Sequence, residues 1–194
     1  MVAPMRKEER RFTYADYLTW PEDERWELID GEAYDMTPAP SQWHQEIAME
    51  LSVQFGSFLR DKPCRVYAAP FDVRLPKPTE DGMTASTVVQ PDLLVVCDRE
   101  KLDGKGVVGG PTLVVEITSP STAAKDLREK RMAYERAGVP EYWIISPSDK
   151  TVQVYTLDER GKYGAPAVYT PNDQAPVGVL PELVIDLARV FAER

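Results

Sequence analysis

The chain has 194 residues, long enough for one well-buried α/β domain and short for two, and its hydrophobic (43%) and charged (28%) fractions are those of a globular protein. No apolar run approaches the roughly 18 residues that span a bilayer, so no membrane partner is expected, and the basic and acidic start MVAPMRKEERR lacks the apolar stretch of a signal peptide. A net charge of -9 argues against non-specific adhesion to nucleic acid, while leaving room for an enzyme that grips DNA through a local basic group and a metal.

Residues 1–12 are expected to form a disordered tail ahead of a single domain over 13–194. Thr13 then caps a short helix in YADYLTW that stops at Pro21. ERWELIDGEAYDM reads as two strands about Asp30-Gly31, a strong hairpin signal. Ser41 caps a long helix in which Trp43, Ile47, Leu51, Phe55 and Phe58 recur at helical spacing and face the core. CRVYAAPFDVRLP reads as a strand with Pro70 marking a bulge or an edge, and KPTEDGMTASTV as an exposed loop.

Two apolar runs come next, VVQPDLLVVCD and LVVEITSPS, joined by a glycine-rich connection that lacks both the Lys-Ser/Thr end of a phosphate loop and a dinucleotide fingerprint. That connection reads as a plain mobile loop. A helix over Thr122–Ala137 succeeds them, ended by Gly138 and Pro140, then a buried strand in EYWIIS. TVQVYTLDERGKYGAPAVYT alternates as a hairpin with one wet face, and a last strand and short helix close the chain. Cys64 and Cys97 both sit in strand-like contexts and read as reduced packing residues in a cytoplasmic protein.

Asp92 and Glu116 each fall inside one of these apolar runs, where a buried strand normally has no acid. An unpaired carboxylate there is costly, so a basic partner or a divalent cation is expected beside them. On a helical wheel Lys130 falls on the buried arc with Leu127, Ala133 and Tyr134, whereas Arg128 and Glu129 fall outside. Two readings stay open: a surface ion pair between Asp126 and Lys130, or Lys130 reaching over the sheet edge to the two acids. His44, the single histidine, and Glu27, which alternates with Trp26 and Leu28, are candidate accessory groups. Glu32 ranks below Glu27. No nucleophile elbow, Cys-His pair or histidine cluster supports acyl transfer or zinc chemistry.

Five phrases in order, ELIDGE, PAPSQWH, PDLLVV, LVVEITSPST and GVPEYWIISP, resemble the Uma-type, restriction-endonuclease-like family of the PD-(D/E)xK nuclease superfamily, from about Thr13 to Phe191. The resemblance implies a restriction-endonuclease-like α/β fold with a mixed central β-sheet flanked by α-helices. It implies that Asp92 and Glu116 hold Mg²⁺, or Mn²⁺ in its place, in a DNA endonuclease; a homodimer is expected separately, because a double-strand break commonly takes two sites related by a two-fold axis. The superfamily lysine two residues after the Glu is replaced here by Thr118, and the resemblance implies that Lys130 on the helix has taken over its role. Phosphodiester hydrolysis needs an activated water and stabilised charge on the phosphoryl oxygens, which an oxygen-ligated Mg²⁺ supplies and Lys130 assists. The rivals are a degenerate nuclease fold that binds nucleic acid or protein without cutting, and a structural homodimer. Removing either acid is expected to leave stability unchanged or to raise it, since neighbouring like charges repel.

Overall fold

The computed structural model describes residues 11–21, 23–36, 40–119 and 126–192. Thr13 opens α1 (Tyr14–Tyr17), with the Asp16 carboxylate accepting from both the Thr13 amide and its hydroxyl. The tail expected over 1–12 lies outside the described residues up to residue 10. Beyond that it is corrected: the Phe12 N–H bonds the Gly31 carbonyl at 2.9 Å, and Arg11 reaches the Asp30 carbonyl.

β1 (Trp26–Ile29) and β2 (Glu32–Asp35) pair antiparallel with Ile29 opposite Glu32. Asp30 and Gly31 between them adopt φ of 51° and 85°, the left-handed pair that a two-residue hairpin turn requires. Ser41 accepts the His44 N–H and opens α2 (Gln42–Leu59), which buries Ile47, Leu51, Phe55 and Leu59 as its periodicity demands. Trp43 and Phe58 pack at the margin of the same cluster.

The segment expected as one strand from Cys64 to Pro76 divides at Ala69-Pro70 into β3 (Arg65–Ala68) and β4 (Val73–Arg74), which join different sheets. The run VVQPDLLVV divides likewise at Gln90-Pro91 into β5 (Val88–Val89) and β6 (Leu93–Val96). The glycine-rich connection is more ordered than expected. It holds a 3-10 turn (Arg99–Lys101) and β7 (Val107–Val108), which runs parallel to β4. Gly106 allows that approach, since a Cβ there would collide with the Asp72 carbonyl.

β8 (Leu113–Ile117) precedes a π-helical turn (Asp126–Lys130) that leads into α3 (Arg131–Arg136). Residues 122–125 of the expected Thr122–Ala137 helix, with Ala123, lie outside the described residues, as do the side chains of Asp126 and Leu127. β9 (Glu141–Ser146), β10 (Thr151–Thr156) and β11 (Ala167–Tyr169) complete a six-stranded mixed sheet in the order β11-β10-β9-β8-β6-β3. The edge placement of β3 suits the proline shortly after it. A separate five-stranded sheet, β2-β1-β5-β4-β7, packs against it, and β12 (Gln174–Pro176) pairs with β13 (Val184–Asp186) ahead of α4 (Leu187–Val190). The fold is therefore mixed α/β with the expected mixed sheet, divided into separate sheets. No helix among the described residues is long and apolar enough to cross a membrane.

Strand alternation splits the six-stranded sheet between two cores. Leu93, Val95, Leu113, Val115, Ile117 and Trp143 face α2, whereas Leu94, Val96, Val114, Tyr142 and Ile144 face α3 and the five-stranded sheet. Even-numbered Glu116 shares the face of Val114, and so looks toward α3.

Cys64 and Cys97 form a disulfide, which corrects the expectation of reduced packing residues. The β3–β6 register sets Arg65 opposite Val96, so the next pair outward is Cys64 opposite Cys97, with Cα atoms 4.0 Å apart.

Glu141 is fully buried and fastens the C-terminal turn. Its carboxylate accepts from the Trp143 indole at 2.6 Å and from the Val179 N–H at 2.9 Å. Burial raises its pKa above the ordinary 4.5, against those donors, so the folded state binds this proton more tightly than the unfolded state. Its contribution is full below the unfolded value and is lost as pH rises through the folded one. The stability difference between wild type and Glu141→Gln should therefore shift in favour of the variant as pH rises from about 4.5. Denaturant unfolding at several pH values measures it, and a constant difference would refute the assignment.

Candidate active site

The site is assembled where the two larger sheets meet. The β6–β8 register pairs Leu93 with Val115, so one step outward Asp92 stands opposite Glu116 on the neighbouring strand. Asp92 lies at the rim, with its side chain 20% exposed. Its Oδ2 accepts the Ile117 N–H at 2.7 Å, and its Oδ1 lies 3.1 Å from His44 Nε2, presented by the first turn of α2.

Glu116 lies deeper. Its Oε1 receives Lys130 Nζ at 3.0 Å and the Tyr134 hydroxyl at 2.7 Å, two donors one turn apart at the junction of the π-helical turn with α3. Lys130 is 2% exposed and makes a second, shorter ion pair of 2.7 Å with Glu27 Oε1, which is wholly buried on β1. Of the two readings of Lys130, the structure places its ammonium between these carboxylates. Burial, then the negative charge of Glu116, holds the Tyr134 hydroxyl well above its usual pKa, so it remains a proton donor.

Thr118, at the usual lysine position, donates its hydroxyl to the Ile145 carbonyl at 3.2 Å and is occupied in the sheet.

Two contributors are not evident from the sequence. Periodicity puts Tyr134 on the buried face but assigns its hydroxyl no partner. Gln90 donates its N–H to Glu27 Oε1 at 2.9 Å, and its side chain binds Asp72, Tyr17 and Arg25. The available signal is a lone amide in the apolar run VVQPDLLVV. Glu32 hydrogen-bonds Tyr34 at the exposed hairpin edge and takes no part.

Hard oxygen donors across a strand pair suit Mg²⁺, which typically takes one or two carboxylates and fills its shell with water and substrate oxygens. Among the described residues no group of three His, Cys, Asp or Glu side chains is arranged to cage an ion, so the fit is to this sparse, two-carboxylate mode. A cavity of about 360 Å³ walled by Phe12, Trp20, Glu24 and Trp26 contains none of Glu27, Asp92, Glu116 or Lys130.

The mixed α/β fold is shared with a solved structure. A crystal structure from Anabaena variabilis, described as "a putative nuclease belonging to DUF820", superimposes with a TM-score of 0.73 at 20% identity, covering 93% of this chain and 97% of that one. The chain belongs to the Uma2 family, described as "Putative restriction endonuclease", whose model matches residues 14–188. An uncharacterized protein of Synechocystis sp. is 26% identical over 151 residues, 76% of this chain and 75% of its own length.

Proposed function

We propose that this protein is a metal-dependent endonuclease that hydrolyses phosphodiester bonds in DNA, with Asp92 and Glu116 as the Mg²⁺ (or Mn²⁺) ligands and Lys130 as the catalytic cation. The observation that carries it is the burial of Lys130 between Glu27 and Glu116, on the strand opposite Asp92. Burying three ionised groups together is expensive and is weak evidence for stability, so such a cluster at a sheet end is better explained by chemistry.

The chain's own groups divide the work. Asp92 is held by the Ile117 N–H and His44, and Glu116 by Lys130 and Tyr134, so both carboxylates enter the reaction already oriented. Mg²⁺ bound there would polarise the phosphoryl group and lower the pKa of a water. Lys130 donates to the oxygen on which charge develops, in a site from which burial excludes bulk water. His44, 13% exposed at the rim, stands where a substrate phosphate would enter.

Supercoiled plasmid should be nicked or linearised by wild type with Mg²⁺ or Mn²⁺, and left intact by Asp92→Ala. Equal cutting by the variant would remove Asp92 from the mechanism. Salt-dependent binding without cutting would select a degenerate binding module, the second reading, which Thr118 favours. Asp92→Ala strips the acceptor from the Ile117 N–H and from His44, so it should also cost about 1–3 kcal/mol. These contacts weigh against the expectation, from like-charge repulsion alone, that stability stays unchanged or rises. We further propose a homodimer, since a double-strand break commonly takes two sites related by a two-fold axis; a monomeric mass at micromolar concentration would refute it.

A further inference from the structure

We propose that Glu27 is the positioning residue that keeps Lys130 at the site once a divalent cation engages Glu116; this rests on the nuclease reading above. Glu27 reaches the cluster from the five-stranded sheet, while Asp92 and Glu116 stand at the ends of strands in the six-stranded one. It is fully buried, and its Oε1 gathers Lys130 Nζ at 2.7 Å and the Gln90 N–H at 2.9 Å. Gln90 lies two residues before Asp92, so one oxygen fixes both the lysine and the approach of the chain to the first acid. Lys130 Nζ lies within ion-pair distance of both carboxylates, 2.7 Å from Glu27 and 3.0 Å from Glu116.

Once a metal arrives, charge favours Glu27 as the anchor. A divalent cation on Glu116 weakens that carboxylate's hold on the ammonium and repels it directly. An ammonium on a four-carbon stem held by Glu116 alone would swing away. With Glu27 as a second anchor, buried and itself locked by a main-chain donor, the lysine stays within reach of the reacting phosphate. Two carboxylates about one lysine thus divide their duties, one to hold the cation and one to hold the ammonium.

The test uses Glu27→Gln, an isostere that still accepts from Gln90 and Lys130 but carries no charge. Two readouts are taken, the Mn²⁺ concentration giving half of the metal-induced rise in Tm, without DNA, and kcat and KM for plasmid at saturating Mn²⁺. In the variant the Glu27 charge no longer balances the pull of Glu116 on Lys130, so the cation competes with a more tightly paired ammonium. The half-effect concentration should rise at least about tenfold, and kcat should fall at least about tenfold with KM unchanged. In a Lys130→Met background the same change should lower kcat no further, because the group it positions is gone. Wild-type values in Glu27→Gln, or an equal kcat loss with and without Lys130, would overturn the proposal. Should Glu27→Gln not fold, Glu27→Asp, which keeps the charge but is one methylene shorter, is read by the same two measurements. A wild type that shows neither a Mn²⁺-induced shift nor cleavage refutes the nuclease reading itself, which is a different result from a responsive wild type and an unaffected variant.

Discussion

Lys130→Met should lower plasmid cleavage at saturating metal and DNA by about 10²–10³-fold, the usual loss when one preorganised donor to a developing oxyanion is removed. Arg128→Met, two residues away and exposed, should leave the rate within about twofold, since solvent-facing side chains away from the reacting group contribute little. The helical wheel alone suggests that Lys130→Met would keep the fold, and the structure adds a cost in stability. Methionine matches the lysine stem but leaves Glu27 and Glu116 buried without their common counter-charge, which should cost about 3–5 kcal/mol. Cleavage is therefore compared below the variant's own Tm, with circular dichroism confirming the fold. Equal rates for the two variants would return Lys130 to a purely structural role.

The sequence discloses about this site whatever depends on neighbours in the chain. Asp30-Gly31 announces a two-residue turn because its φ values of 51° and 85° are ones that few residue pairs accept. Ser41 and the spacing of Ile47, Leu51 and Phe55 announce α2 because capping and periodicity are local properties. The wheel also puts Lys130 on the buried arc but leaves Asp126 and the strand acids both open as its partner, and the contact with Glu116 is read from the structure.

Contacts between distant segments are not legible in the same way. The runs around Pro70 and Pro91 each look continuous because their apolar character is unbroken, yet each changes sheet. At the second, Pro91 has no N–H to give a ladder, and the Gln90 N–H turns to Glu27, 63 residues earlier. Nothing local marks that choice. Tyr134 is a parallel case: a tyrosine on a buried helix face looks like packing until a carboxylate 18 residues away proves to accept its proton.

Reducing the Cys64–Cys97 bond should lower Tm by roughly 7–14 °C, from a loss of about 3–4 kcal/mol for a closed loop of this length. The loop spans 33 residues and encloses β3 through β6 together with Asp92. The loss arises chiefly in the unfolded chain, which regains the freedom that the cross-link removes. It also has a native-state side. β3 is an edge strand paired only with β6 in its sheet, and the bond lies at the end of that pairing farthest from Asp92, whose carbonyl accepts the Ala69 N–H at 3.1 Å. Release should thus fray β3 from its Cys64 end, while Asp92 remains held by Ile117 and His44. Metal-dependent cleavage at 25 °C should be nearly unchanged on reduction even as Tm falls. A Cys64→Ser, Cys97→Ser double variant should match the reduced wild type and stop responding to dithiothreitol. Two titratable thiols in the folded, unreduced protein, or a Tm indifferent to reductant, would overturn the prediction.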